Sequence, residues 1–214
     1  MSVLKTISEA LQAGRAEEVK ELVQQAVDQG IGARTILADG LLAGMNVVGA
    51  KFKVNEVFVA EVLIAARAMN MGVALLKPLL VDEGVKAAGK VVIGTVKGDL
   101  HDIGKNVVRM MMEGKGLEVI DLGTDVSAAR FVEAARQHGA DIVALSAMLT
   151  TTMIEMKTVI EALEAAGLRE RVKVMIGGAP INEGFRATIG ADAYAENAAE
   201  ASEAAVVIVQ RKAA

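Results

Sequence analysis

The sequence predicts an α/β protein, a small bundle of four helices followed by a five-stranded parallel sheet with helices on both faces. Three observations lead there. The hydrophobic period changes near residue 90, from recurrences at three and four residues to short β-rich runs. Five such runs then alternate with helical segments, the pattern of a parallel sheet built from βαβ units. Small and polar residues follow every run, so one edge of the sheet is open to a large ligand.

The elements follow in order. A first helix covers residues 2–12. Val19, Leu22, Val23, Ala26 and Val27 mark a second that stops at Gly30. Ile36, Leu37, Leu41, Met45 and Val48 mark a third, and Phe58, Val62, Ala65, Met69, Val73 and Leu76 a fourth that ends before Pro78. Residues 81–89, charged and containing Gly84 and Gly89, form a linker. Strands fall at 91–96, 117–122, 142–146, 172–176 and 191–195, with helices at about 104–114, 127–138, 151–166 and 182–189 and a last one over 198–211.

Composition narrows the chemistry. At 53% hydrophobic residues over 214 positions, the chain can bury a substantial core. The absence of cysteine excludes disulfides, iron-sulfur clusters and thiolate zinc sites. The first nine residues are charged and amphipathic, and no uninterrupted apolar run approaches the roughly 20 residues of a membrane span, so a cytoplasmic protein without a membrane partner is expected. A net charge of −4, a pI of about 5.4 and the lack of tryptophan argue against a nucleic-acid surface.

The stretch richest in chemistry is Gly98-Asp99-Leu100-His101-Asp102-Ile103-Gly104-Lys105-Asn106, directly after the first strand. The other strands lead into Gly123-Thr124, into Ser146 to Thr152, into Gly177-Gly178-Ala179-Pro180, and into Glu196-Asn197. A phosphate cradle is disfavoured by Asp99 and Asp102 and by the lack of a Walker-type or GxGxxG pattern. A phospho-acceptor receiver would carry aspartate where this chain has Ser146. A zinc or di-metal hydrolase needs more ligands than His101 and His138 supply. What is left is a cofactor that brings its own metal and needs one protein nitrogen.

Asp99-x-His101-x-x-Gly104, then 41 residues to Ser146, then Gly177-Gly178, resembles the signature of corrinoid (cobalamin)-binding domains. The resemblance implies a flavodoxin-like (Rossmann-like) sheet domain over residues 90–214. It implies that His101 coordinates cobalt in place of the cofactor's own base and detaches, with proton uptake, when the methyl group leaves. Gly98, Leu100, Asp102, Ile103 and Gly104 would flank that ligand. The displaced base would enter a slot lined by Ser146, Leu149, Thr150, Gly177 and Gly178 and closed by Tyr194, Asn197 and Ala198. Asp99 would accept from the second imidazole nitrogen and make the ligand more basic, and Thr152 stands where the family usually extends this relay with serine.

Met45-Asn46-Val47-Val48-Gly49-x-x-Phe52, with Val57-Phe58-Val59 and Val62 to Met69, resembles the helical cap of cobalamin-dependent methionine synthase and of stand-alone methyltransferase corrinoid proteins. This implies a cap domain over residues 1–85 in which Phe52 and Val59 overhang the methyl group, with Ala60 in place of a frequent proline. Domains for homocysteine, folate and activation do not fit in 214 residues. The expectation is therefore the corrinoid subunit of a multi-component system in one-carbon metabolism in an anaerobic setting, a carrier and not a complete enzyme. Its partners would be a substrate-specific methyltransferase, a second methyltransferase acting on tetrahydrofolate or coenzyme M, and a reductive activase. The alternative is a corrinoid-binding sensor or storage module without methyl transfer.

Taken singly, the same residues have plainer readings. His101 is a solvated loop residue, His138 a helix C-terminal group, Gly177-Gly178 a turn, Thr150 to Thr152 an N-cap cluster and Lys105 a surface lysine. Met69, Met71 and Met110 to Met112 read as packing residues, and Phe52 as bundle core.

Overall fold

The computed structural model describes residues 2–83 and 87–213, so Gly84 of the expected linker lies outside the described residues. The chain forms two compact units, Met1–Ala87 with Gly114–Gly116, and Ala88–Glu113 with Leu117–Ala214.

In the helical unit, α1 (Val3–Gln12) and α2 (Ala16–Asp28) precede a rod made of α3 (Ala33–Thr35), a π-helical stretch Ile36–Leu42 and α4 (Ala43–Lys53), and α5 (Val59–Asp82) follows. Glycines set how closely the helices approach. A Cβ on Gly44 would lie 3.0 Å from the Ser8 carbonyl oxygen of α1, and one on Gly40 3.2 Å from Ile7 Cγ2. On Gly72 it would come within 2.9 Å of Leu41 Cδ2 and 3.3 Å of Val19 Cγ1. Ile7, Leu11, Val19, Val23, Leu41, Val62 and Leu76 are wholly buried.

Two expectations change here. Helix α5 does not stop before Pro78 but runs through it to Asp82. Proline removes one N–H and so one helical bond. Just beyond the helix end, the Glu83 carboxylate accepts from the N–H groups of Ala33 (2.9 Å) and Arg34 (3.2 Å), which caps α3 and ties down the segment after the proline. Second, Ala33–Lys53 and Val59–Leu80 are each long and apolar enough, by length and composition, to cross a membrane. Neither is an uninterrupted apolar run, because Asp39, Glu61 and Arg67 break the apolar stretches. Both rods bury Ile36, Leu41, Val62 and Leu76 in a unit where they pack against α1 and α2.

The sheet unit alternates strand and helix throughout: β1 (Lys90–Thr95), α6 (Ile103–Glu113), β2 (Glu118–Asp121), α7 (Ala128–His138), β3 (Ile142–Ser146), α8 (Glu155–Ala165), β4 (Lys173–Gly177), α9 (Glu183–Ile189), β5 (Ala193–Tyr194) and α10 (Ala198–Ala213). All neighbouring strands are parallel, in the order β2-β1-β3-β4-β5. Residues alternate between two buried clusters. Val92, Val143 and Val174 join Phe131, Met156 and Leu163 on one face, while Val91, Ile93, Ile142 and Met175 join Met112, Ala205 and Val209 on the other. The absence of a side chain at Gly94 admits Phe131, whose Cζ would stand 2.8 Å from a Cβ there. Because β2 lies on one side of β1 and β3 on the other, the strand order reverses between β1 and β3. In open parallel sheets the crevice at that point, outside the carboxyl ends of the strands, is where ligands bind.

Candidate functional site at the carboxyl edge of the sheet

The loop leaving β1 lies at this reversal. It turns at Gly98, whose φ of +81° is left-handed and whose N–H donates to Asp125 Oδ1 at 2.7 Å. Asp125, itself at φ +54°, returns an N–H to the Asp99 carbonyl at 3.0 Å. The two bonds pin the loop to the segment after β2 and direct the Asp99 side chain inward, where it is wholly buried.

Each Asp99 carboxylate oxygen has two partners. Oδ1 accepts the His101 N–H at 3.1 Å and lies 2.7 Å from His101 Nδ1. Oδ2 accepts the Met148 N–H and the Thr152 hydroxyl, each at 2.7 Å. Burial by itself raises the carboxyl's pKa. The bonds from Met148, the His101 main chain, Thr152 and the His101 ring outweigh it and hold the group well below the usual carboxylate range. An ionised Asp99 assigns the ring proton to Nδ1 and leaves the Nε2 lone pair available as a metal ligand. The His101 side chain is 55% exposed.

The relay expected from Asp99 to Thr152 thus has the geometry of a direct hydrogen bond. The Thr152 hydroxyl has one proton, and Asp99 is both the nearer acceptor and the charged one, the Leu149 carbonyl being 3.1 Å away. The plainer reading of Thr150 to Thr152 as an N-cap cluster fails, because α8 begins only at Glu155, after a run of turns.

Around the imidazole, Leu100 and Ile103 are about three-quarters exposed and Met148 and Leu149 nearly half. A Cβ on Gly104 would meet nothing within 4 Å, and Thr150 is exposed. Asp102 starts α6, accepting the Asn106 N–H at its carbonyl (2.8 Å) and the Asn106 side-chain amide at its carboxylate (3.0 Å).

Lys105 is not a surface residue. Its side chain is 1% exposed, and Nζ bonds both oxygens of Asp121 at 2.7 Å and Asn106 Oδ1 at 2.8 Å. Burial raises the Asp121 pKa, but the bonds from Lys105 and from the Gly123 N–H, with the positive charges of Lys105 and Arg109, bring it below its ordinary value. The pair fastens the first turn of α6 to the end of β2.

Ser146 ends β3 in register with Thr95 on one side and Gly177 on the other. At Gly178, φ is +132° and a Cβ would run into the Ala147 carbonyl oxygen, so only glycine fits. Tyr194 is half-buried against the core, and burial, with the charges of Glu196, Glu200 and Glu183, pushes its phenol up. Asn197 accepts the Glu200 N–H at 3.0 Å and so caps α10, and Ala198 is buried at the helix start. Phe52, half-buried near the end of α4, and Val59, 38% exposed at the start of α5, belong to the helical unit. His138 is the last residue of α7, ahead of its Gly139 cap. Among the described residues, no group of three or more potential metal ligands converges.

Three participants were not singled out from sequence. Thr95 donates its hydroxyl to the His101 carbonyl at 2.8 Å, Asp125 holds Gly98, and Met148 reaches Asp99 through its main chain. A polar residue closing an apolar strand is a signal for Thr95. A main-chain N–H leaves none.

Residues 89–205 match the model of the B12 binding domain, and residues 3–77 match a second model with that description. The chain belongs to the B12 binding domain family. It is 43% identical to a corrinoid protein of Desulfitobacterium hafniense (strain Y51) over 208 residues, 96% of each chain. To the dimethylamine corrinoid protein of Methanosarcina barkeri it is 43% identical over 201 residues, 93% of each chain. It also superposes on a chain of the methanol:cobalamin methyltransferase complex of Methanosarcina barkeri with a TM-score of 0.88 and 30% identity, covering 97% of this chain and 80% of that one. The residues of this B12-binding chain fit a corrinoid on their own chemistry. One imidazole nitrogen suffices for a metal that arrives with its other ligands, and exposed apolar side chains beside it suit a broad macrocycle.

Proposed function

We propose that this chain is a methyl carrier that holds a corrinoid through His101, receives a methyl group from a substrate-specific methyltransferase and delivers it to a second methyltransferase acting on tetrahydrofolate or coenzyme M. The observation that carries the reading is the His101 Nδ1 to Asp99 contact of 2.7 Å at the strand-order reversal, which leaves Nε2 unused. The near full-length similarity to a dimethylamine corrinoid protein and to a chain of a methanol:cobalamin methyltransferase complex supports it. When bound, the corrinoid supplies a cobalt centre able to accept and release a methyl group.

The protein's own residues set the state of the ligand. Asp99 accepts from Nδ1 and orients the ring, and Thr152 and the Met148 N–H stabilise the charge on Asp99. Released from the metal, Nε2 would be open to a proton, with the Asp99 carboxylate beside the ring as its counter-charge. Leu100, Ile103 and Gly104 flank the ligand. Ser146, Leu149, Thr150, Gly177 and Gly178 would line the slot for the cofactor's base, with Tyr194, Asn197 and Ala198 at its closing side. A reductive activase is the third partner, returning oxidised cofactor to service.

The test uses the full chain loaded with hydroxocobalamin, reduced, and mixed with a candidate methyltransferase and its methylated substrate. A carrier cycles between demethylated and methylated absorption spectra when an acceptor methyltransferase is added. A protein that binds the corrinoid but fails to cycle with every candidate pair is a sensor or storage module.

A further inference from the structure

We infer that Thr95 is a positioning residue for His101, its hydroxyl fixing the main chain from which the imidazole is presented. The inference rests on His101 being the ligand, as proposed above. Thr95 is the last residue of β1 and wholly buried, and its Oγ1 donates to the His101 carbonyl at 2.8 Å. Its own main chain is fully engaged, the N–H with Gly123 O at 2.9 Å and the carbonyl with the Val126 N–H at 3.0 Å.

Little is left to move at His101. Its N–H is held by Asp99 Oδ1 and its carbonyl by Thr95, so both main-chain polar groups of a loop residue are held, one by the loop's own buried carboxylate and the other by the end of β1. The ring is then free only about its two side-chain torsions, and the contact of Nδ1 with the same Asp99 oxygen sets those. Without the Thr95 hydroxyl, the carbonyl side of the loop loses its anchor while Asp99 stays in place.

The strand does not need the hydroxyl. Val91, Val92 and Ile93 precede it, and valine is β-branched and nearly the shape of threonine. Thr95→Val therefore removes the donor and keeps the side-chain shape, and Thr95→Ser keeps the donor.

The experiment loads the full-length wild type, T95V, T95S and H101A, each labelled with 15N-histidine, with hydroxocobalamin, reduces each to the Co(II) state and records its electron paramagnetic resonance spectrum, the splitting scored being the doublet of a 15N-histidine ligand and not the triplet that the cofactor's own 14N base gives. Dissociation constants for hydroxocobalamin and melting temperatures of the cofactor-free proteins are measured alongside. T95V is expected to show a smaller fraction of cobalt with nitrogen superhyperfine splitting and about fivefold weaker binding, the worth of one hydrogen bond, while T95S matches wild type. Splitting and affinity unchanged in T95V overturn the inference, whether or not the melting temperature falls. Equal losses in T95V and T95S also overturn it, since the hydroxyl would then not be the cause. H101A separates the two readings: splitting that persists there refutes His101 as the ligand, whereas its loss in H101A alone refutes only the role of Thr95.

Discussion

Asp99 shows at the scale of one residue how a buried charge is made tolerable. Both oxygens face donors only, so the acid cannot be replaced by its amide without turning an N–H toward an N–H or a hydroxyl. Asp99→Asn is expected to destabilise the cofactor-free protein by about 2 kcal/mol, read from urea unfolding at neutral pH. The pH dependence has a definite sign. A carboxyl whose pKa is lower in the folded state contributes fully above its ordinary value of 3.8, and that contribution is lost as the pH falls below it. Wild type should therefore lose more stability than Asp99→Asn between neutral pH and pH ~3, which the same titration at several pH values checks. Gly178 carries a second constraint at this scale. Its φ of +132° and the Ala147 carbonyl both exclude a side chain, and Gly178→Ala should cost about 1–3 kcal/mol by the same measurement.

Between residue and fold stands α6, the helix that follows the His101 loop. Its first turn is clamped to β2 by Lys105 and Asp121, and through Asn106 to Asp102, next to the ligand. A lysine after a glycine at a helix start reads as solvated, because the amphipathic pattern says nothing about a carboxylate ending the neighbouring strand. Among the described residues, Lys105→Met leaves Asp121 with only Arg109 for charge compensation, at 3.9 Å, and is expected to cost about 3 kcal/mol, at the low end for a broken buried pair since Asp121 is partly exposed. Adding Asp121→Leu should recover part of that loss in denaturant titrations, because two apolar groups need no partner. The Thr150 to Thr152 segment was misleading for a related reason: hydroxyls ahead of a helix suggest capping, but the partner of Thr152 lies 53 positions away in sequence.

At the scale of the whole molecule, the sheet unit has two buried clusters of its own, one on each face, and every element of the proposed ligand site other than Phe52 and Val59 lies within it. A chain starting at Ala88 is accordingly expected to fold and to bind hydroxocobalamin with the nitrogen splitting intact, as circular dichroism and electron paramagnetic resonance would report. The helical unit leaves Val54, Phe58 and Ile64 more than half exposed, so Phe58→Ser should leave its melting temperature nearly unchanged.

The alternation of strands and helices, the loops at the carboxyl edge and the pairing of Asp99 with His101 two residues later were all legible in sequence. Each is a local pattern, set by hydrophobic period or by side chains close along the chain. What depended on tertiary structure were partners from distant segments. They include the Met148 N–H and Thr152 on Asp99, Asp125 on Gly98, Asp121 on Lys105 and Glu83 on the start of α3. The Thr95 hydroxyl on the His101 carbonyl, though only six residues apart, also needed the folded loop, because main-chain groups have no sequence signature. A hydrogen bond needs a donor and an acceptor brought within about 3 Å, and for groups tens of residues apart only the packed fold specifies which ones meet.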